Sequence, residues 1–161
     1  MRSSSLFAKC FVLFALVATL SVTATAQISS GSNALLGSWK VRLSPENGDP
    51  PFDELMTFTD GGGIVESNNY PFYLTGITAG PGQGTWSYSG KQRFSFTFLK
   101  ILTVTSGPGV GILKVAGTIT YSAVDDSWSG PATVSVCNNL LASCTVQGVT
   151  NGSATRVMAG Q

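Results

Sequence analysis

Alternation of apolar and polar residues is the feature of this 161-residue chain that most constrains its fold. It is clearest from Arg93 to Leu102, where Phe94, Phe96 and Phe98 alternate with small polar residues. Successive side chains of a strand point to opposite faces, so the three phenyl rings share one face. The pattern recurs in about six segments, separated by turn-forming residues and without a sustained helical period. It predicts an all-β antiparallel meander.

The first of these segments runs from Leu35 to Leu43 and opens with Gly37-Ser38-Trp39. Its alternation places Trp39, Val41 and Leu43 on one face of a strand. A large indole at the start of a strand is suited to plug the closed end of a small barrel. We therefore expect this segment to be the first strand of the domain.

The segment before this strand has the pattern of a leader. Residues 1–26 combine a short basic start, an apolar stretch and the small residues Ala24-Thr25-Ala26, which is typical of a secretory signal peptide. The apolar run is shorter than the ~20 residues that a membrane span needs. We expect residues 27–34 to form a flexible lead-in and residues 35–161 a single barrel domain, secreted or periplasmic.

The charge balance argues against two classes of partner. The whole chain carries 9 basic and 8 acidic residues, and removal of Arg2 and Lys9 with the leader changes the net charge from +1 to −1. No basic run is present to meet phosphates, and no cationic amphipathic helix is present to bind a membrane surface. We expect neither nucleic-acid binding nor stable membrane insertion, and the sequence leaves the oligomeric state open.

Cysteine and histidine usage narrows the chemistry further. In an exported chain, Cys137 and Cys144 are expected to form a local disulfide that encloses residues 138–143. The chain has no histidine, which removes serine–histidine and cysteine–histidine nucleophile systems and most zinc sites. The sequence thus predicts no metal and no cofactor.

About eight antiparallel strands expose two sheet edges unless the sheet closes, although a sandwich satisfies the alternation equally well. With Gly37-Ser38-Trp39 in the first strand and Arg156 in the last, the chain resembles the lipocalins and the wider calycin group of up-and-down barrels. The resemblance implies a barrel of about eight strands. It also implies structural roles for Trp39 and Arg156, which in that group form a cation–π contact at the closed end.

A second resemblance concerns the middle of the chain. The segments Pro51 to Phe58, Asp60 to Gly62, Glu66-Ser67 and Pro81 to Trp86 are similar to a family of small exported bacterial proteins with no assigned activity. No helix is expected after the last strand, unlike in lipocalins. An allene-oxide-cyclase-like barrel, which in some relatives catalyses isomerisation or cyclisation, is the alternative.

The inward aromatic surface suggests a binding function. We expect a small apolar or amphipathic ligand in the barrel, because the inward side chains supply more aromatic area than a tight eight-stranded core readily packs. The alternative is a filled core without a ligand. The expected ligand-binding residues are Met56, Trp86, Tyr88, Phe94, Phe96 and Phe98. The connection from Asn68 to Gly82 is rich in aromatic residues and either tucks against the rim or forms a lid.

One carboxylate interrupts an apolar face. Glu54 alternates with Phe52, Met56 and Phe58, and Lys100 falls on the face of the three phenylalanines. Three interpretations remain open: Glu54 reaches water at a strand end, it pairs with Lys100, or it acts as the acid or base of a cofactor-free isomerase or cyclase. Glu54 and Lys100 are the candidate catalytic residues. Glu66 lies beside a polar loop and is a weaker candidate for a catalytic carboxylate.

Overall fold

The computed structural model describes residues 31–70, 76–104 and 109–160. The expected signal peptide of residues 1–26 lies outside the described residues, as do Phe72, Tyr73 and Leu74 of the aromatic connection. The described part of the chain contains strands and turns and no helix, which confirms the all-β prediction.

Nine strands are present in the described residues. They are β1 (Gly37–Pro45), β2 (Phe52–Phe58), β3 (Gly63–Asn68), β4 (Ile77–Ala79), β5 (Gly82–Gly90), β6 (Arg93–Val104), β7 (Gly109–Ser122), β8 (Ser127–Cys137) and β9 (Cys144–Arg156).

The strands form one closed antiparallel sheet. Neighbours pair in the order β4-β6-β5-β3-β2-β1-β9-β8-β7, and a further pairing of β6 with β7 closes the barrel. The three-residue β4 was not expected within the long connection. It pairs with β6 at Leu102 to Val104, beyond the part of β6 that pairs with β5, so β4 and β5 share one position. The barrel thus has eight positions with up-and-down connectivity, as predicted.

The two ends of the barrel differ. The end at the start of β1, here called the closed end, carries the short turns at residues 59–62, 91–92 and 123–126. The opposite end, here called the open end, carries the longer connections at 46–51 and 138–143 and the approach to β4. Successive connections of a meander alternate between ends, so this division follows directly from the strand order.

Arg156 organises the closed end. Its guanidinium lies 4.2 Å from the centroid of the Trp39 ring, and its Nε donates to Asp126 Oδ2 at 2.7 Å. Asp126 also accepts a hydrogen bond from the Tyr121 hydroxyl at 2.9 Å. Trp39 itself is fully buried. The two residues that carry the resemblance to the calycin group are therefore in contact.

The chain just before β1 covers this end. The sequence predicts a flexible lead-in over residues 27–34, of which the structure describes residues 31–34. Ala34, its last residue, is buried, and so is Leu35, the first residue of the predicted domain. Ala34 N–H donates to the Gly31 carbonyl at 3.3 Å, and Arg156 Nη2 donates to the Ala34 carbonyl at 2.8 Å. The turn held by these bonds leads into Leu35, whose carbonyl accepts a hydrogen bond from Trp39 Nε1 at 2.8 Å. The contact with Arg156, 122 positions further along the chain, could not be read from the local sequence.

The predicted disulfide is present. Cys137, the last residue of β8, is bonded to Cys144, the first residue of β9, with their Cα atoms 4.0 Å apart. The bridge joins two paired positions of adjacent strands and closes the base of the 138–143 hairpin at the open end.

A search of the described residues for a helix that could span a membrane found none.

Candidate functional site: a cavity at the open end

The barrel interior contains a cavity of about 380 Å³. Its walls are mainly aliphatic and aromatic, with contributions from strands on both sides of the barrel. It extends to the connection after β1, where Pro45, Asn47 and Asp49 line it. The cavity therefore occupies the open half of the barrel. Its principal apolar lining residues are Leu43, Phe52, Met56, Ile77, Phe96, Phe98, Leu102, Leu113, Val115, Val134 and Val136.

Three of the six predicted ligand-binding residues line this cavity. Met56 projects from β2, and Phe96 and Phe98 project from β6 as a stacked pair with ring centroids 6.1 Å apart. All three side chains are buried. The alternation of β6 thus directs two of its three phenylalanines toward the space available for a ligand.

The other three predicted residues lie in the closed half and do not line the cavity. Phe94 is fully buried and contacts Trp86, with ring centroids 5.7 Å apart, and Tyr88 at 5.2 Å. Trp86 packs on Phe58 and donates its Nε1 hydrogen to the Thr59 carbonyl at 3.2 Å. Tyr88 is 40% exposed. The sequence predicted their face of the strand but not their height in the barrel.

A buried ion pair lies in the wall of the barrel beside the cavity. Lys100 Nζ lies 2.9 Å from Glu66 Oε2 and donates a hydrogen bond to Glu66 Oε1 at 3.0 Å. The side chains are only 3% and 0% exposed. The interpretation that paired Lys100 with Glu54 is therefore wrong, because the lysine is engaged by Glu66.

Gly82 explains how residues of two non-adjacent strands meet. Glu66 of β3 pairs with Gly82 of β5, and β5 in turn lies beside β6, which carries Lys100. A Cβ at Gly82 would lie 2.8 Å from Phe98 Cδ2 and against the Glu66 carboxylate. Because glycine leaves this position empty, the glutamate and the lysine reach across β5 to each other.

Glu54 lies next to this pair and is buried, with 4% of its surface exposed. The interpretation that Glu54 reaches water at a strand end is therefore wrong. Burial raises the pKa of Glu54 well above its ordinary value of 4.5, and the charge of Glu66 and a hydrogen bond to it raise it further. Lys100 and Asn68 oppose this shift. Glu54 therefore holds its proton to a higher pH than an ordinary glutamate does.

The entrance is formed by the connections of the open end. Tyr70 donates a hydrogen bond to Asp49 Oδ2 at 2.9 Å and packs edge-on against Phe52, with centroids 4.9 Å apart. All three residues line the cavity. The contact joins the β1–β2 connection to the start of the aromatic connection, so the described part of that connection packs on the rim.

Two residues of the lining each carry a buried polar atom that has no hydrogen-bond partner among the described residues. The two atoms are Trp128 Nε1 and Thr150 Oγ1, on residues that are 4% and 5% exposed. Neither residue was singled out from the sequence. Alternation places Trp128 inward, but the unpartnered state of its nitrogen depends on the packing around it.

The sequence also underrated Glu66. The alternation from Ile64 through Glu66 places the glutamate on the inward face, and this signal was available. Its closeness to a polar loop suggested that the side chain faces solvent instead.

Comparisons of the chain with family models, curated proteins and solved structures gave no match.

Proposed function

We propose that this protein binds a small apolar or amphipathic molecule in the cavity of its barrel, as the calycin group does. The observation that carries the proposal is the cavity of about 380 Å³, lined mainly by apolar side chains and reached from the open end. Ligand sites of proteins are usually concave, largely apolar and ~300–1,000 Å³ in volume. The filled-core alternative requires side chains to occupy this space.

The protein is proposed to act outside the cytoplasm, in the periplasm or the extracellular medium. The Cys137–Cys144 disulfide supports this location, because disulfides persist in oxidising compartments. Export would also agree with the leader-like residues 1–26. Detection of the mature chain in a periplasmic or culture-medium fraction, with cleavage before Gln27, tests the location. Retention of the intact leader in the cytoplasm would contradict it.

Titration with a neutral apolar dye tests the binding function. N-phenyl-1-naphthylamine fluoresces strongly when it leaves water, and we expect saturable enhancement with the purified protein. Val134→Phe, which adds a ring to the cavity wall, should weaken binding by more than ~10-fold. Thr133→Phe is the matched control, because the neighbouring side chain of a strand points to the opposite face. It should change the affinity by less than ~2-fold.

Native mass spectrometry after mild purification provides a second measurement. A ligand acquired during expression should appear as a mass adduct that Val134→Phe reduces. Saturable dye binding with equal affinity in both variants would place the bound dye outside the cavity. Absence of dye binding, of adducts and of tryptophan quenching by a panel of neutral lipids and pigments would favour the filled core and contradict the proposal.

A cofactor-free isomerase or cyclase is the second candidate function. The observation that favours it is Glu54, a buried carboxyl group at the cavity wall whose pKa is raised, beside the Glu66–Lys100 ion pair. A general acid of this kind delivers a proton to a substrate near neutral pH. Glu54→Gln removes the proton donor and keeps the shape. If the protein is an enzyme, this variant loses turnover and nearly keeps ligand affinity. Unchanged turnover of an identified substrate would eliminate Glu54 as the catalytic group.

A further inference from the structure

The β8–β9 hairpin projects past its neighbour β1 at the open end. The pairing of β9 with β1 ends where Thr150 faces Pro45. Residues 144–148 have β8 as their only strand partner among the described residues. At about 3.3 Å per residue, this part of the hairpin extends roughly 15 Å beyond the end of the β1 pairing. The hairpin tip, residues 138–143, therefore stands clear of the β1 side of the barrel.

The hairpin exposes apolar side chains and carries no charge. Leu140 is 84% exposed and Leu141 is 43% exposed at the tip, and Val146 of β9 is 63% exposed. The sequence contains no Asp, Glu, Lys or Arg from Ser127 to Thr155. Because no charged group lies on the hairpin, its entry into an apolar phase does not remove a charge from water.

Leu141 has a backbone conformation that a leucine rarely adopts. Its φ is 56°, in the left-handed region where glycine and asparagine are the usual residues. Burial inside the protein does not offset this cost, because much of the side chain is exposed. Strain at an exposed residue that the fold does not require indicates a function of the side chain outside the fold.

Bonds within the hairpin brace its tip. Asn138 N–H donates to the Ser143 carbonyl at 2.9 Å, and Leu141 N–H donates to the Asn138 carbonyl at 2.9 Å. The disulfide closes the base. Backbone groups that already have partners enter an apolar phase at low cost. A tip that is ordered before it binds also loses little conformational entropy on binding.

An apolar row on the outer face of the barrel leads to the base of the hairpin. Ile101, which is 67% exposed, pairs with Ile112, and Ile112 pairs with Cys137. Directly paired residues of adjacent strands share a face. Lys114 lies on this face, nearer the closed end than Ile112, and has no ion-pair partner among the described residues. A lysine bordering an apolar surface extends its ammonium group toward a polar layer such as lipid headgroups.

The hairpin also forms one side of the cavity mouth. Gln147 and Gly148 of β9 line the cavity together with Asn47 and Asp49 of the β1–β2 connection. The projecting tip thus belongs to the same hairpin as part of the entrance. A surface that the tip contacts is therefore brought close to the opening of the cavity.

A lipid bilayer fits this tip better than a protein partner does. Stable protein interfaces bury about 800 Å² on each side and are enriched in aromatic residues and arginine. The tip offers two leucines on a narrow hairpin and has no aromatic or charged residue. The boundary between headgroups and acyl chains accepts exposed aliphatic side chains and requires no complementary shape.

We infer that the hairpin tip docks on the surface of a lipid bilayer, with Leu140 and Leu141 inserted among the acyl chains and Lys114 facing the headgroups. The barrel remains in water, so this contact is peripheral and reversible and differs from stable insertion. Docking sets the cavity entrance at the membrane, in which apolar molecules dissolve. The docking rests on the hairpin alone, whereas exchange of ligand with the bilayer rests on the proposed binding function.

Co-sedimentation with large unilamellar vesicles of phosphatidylcholine tests the docking. We expect the purified protein to bind, and Leu140→Asn/Leu141→Asn to reduce its partition coefficient by more than ~10-fold. Val124→Asn is the matched control, because Val124 is 93% exposed at the closed end, and it should change the coefficient by less than ~2-fold. Binding through the leader-like residues 1–26 would survive the double change, and that result, or no binding at all, would overturn the inference.

Leu141→Asn separates membrane contact from folding. Asparagine tolerates the left-handed conformation, so the unfolding midpoint in urea should equal or exceed that of the wild type while vesicle binding falls. A lower midpoint with unchanged vesicle binding would show that the leucine serves the fold and would overturn the inference.

Tryptophan fluorescence locates the contact on the molecule. Leu140→Trp adds an indole at the tip, and Val124→Trp adds one at the closed end as the control. With vesicles, emission of the first should shift to shorter wavelength and be quenched by lipids brominated on their acyl chains, whereas the second should show neither change. Vesicle binding without quenching of the tip indole would overturn the inference. A tip-dependent dimer in light scattering, in place of vesicle binding, would assign the leucines to self-association and also overturn it.

Transfer of N-phenyl-1-naphthylamine from loaded vesicles to the protein tests the exchange. The transfer rate should rise with vesicle concentration for the wild type and remain constant for the double leucine variant, which receives dye only through water. If the protein docks but binds no dye, the proposed function fails and the docking stands. If the dye binds and the protein does not dock, the docking is overturned and the binding function stands.

Discussion

Removal of the buried Lys100 ammonium group tests whether the Glu66–Lys100 ion pair stabilises the barrel. Lys100→Met retains an unbranched side chain of similar length and deletes the ammonium group. It leaves the Glu66 carboxylate fully buried beside Glu54 and without the group that now lies 2.9 Å away. The carboxylate then has no compensating charge among the described residues around it.

The magnitude follows from the burial of both partners. Their side chains are 3% and 0% exposed, so solvent screening gives little relief. Removing one partner of a buried ion pair typically costs about 3–5 kcal/mol of unfolding free energy. For a domain of this size, each kcal/mol corresponds to a fall in Tm of ~4 °C. We therefore expect Lys100→Met to lower Tm by ~10–20 °C.

Urea unfolding at pH 7, with melting curves alongside, measures this loss. Adding Glu66→Gln to Lys100→Met should recover at least about half of it, because replacing both charges avoids an unpaired buried ion. Lys40→Met, at an exposed lysine of β1, is the control and should stay within ~0.5 kcal/mol of the wild type. A loss below ~1 kcal/mol for Lys100→Met, or a double variant no more stable than the single one, would refute the reasoning.

Three further predictions concern groups elsewhere in the barrel. Folding raises the pKa of Glu54 above 4.5, so the protonated residue stabilises the fold below this pH, and this contribution is lost as the pH rises through the folded pKa. Glu54→Gln removes the titrating group and should flatten the corresponding slope in a plot of the urea unfolding midpoint against pH. Parallel slopes for the variant and the wild type would contradict this. Arg156→Lys keeps the charge but loses the planar fork that binds Asp126 and backbone carbonyls, so we expect a loss of ~2 kcal/mol in urea unfolding; an unchanged midpoint would show that the fork is dispensable. Cys137→Ser/Cys144→Ser opens a short loop and should cost ~2 kcal/mol with an unchanged far-ultraviolet circular dichroism spectrum, whereas loss of the β-sheet signal would show that the bridge holds more than its hairpin.

The site was only partly predictable from the sequence. Alternation correctly placed Phe96 and Phe98 inward, and they line the cavity. It equally placed Trp86 inward, yet that ring packs against Phe58 and Phe94 and does not line the cavity. A period of two specifies the face of a strand and leaves the height of a residue along the barrel undetermined.

By itself, the sequence determined the features that depend on residues close together in the chain. Alternation specified the strands, Gly and Pro clusters specified the turns, and the spacing of Cys137 and Cys144 specified a bridge within one hairpin. The tertiary structure alone decided that Glu66, and not Glu54, engages Lys100 across Gly82. These three residues are far apart in the chain, and their meeting depends on which strands pair, in which register, and where a missing side chain leaves room between them.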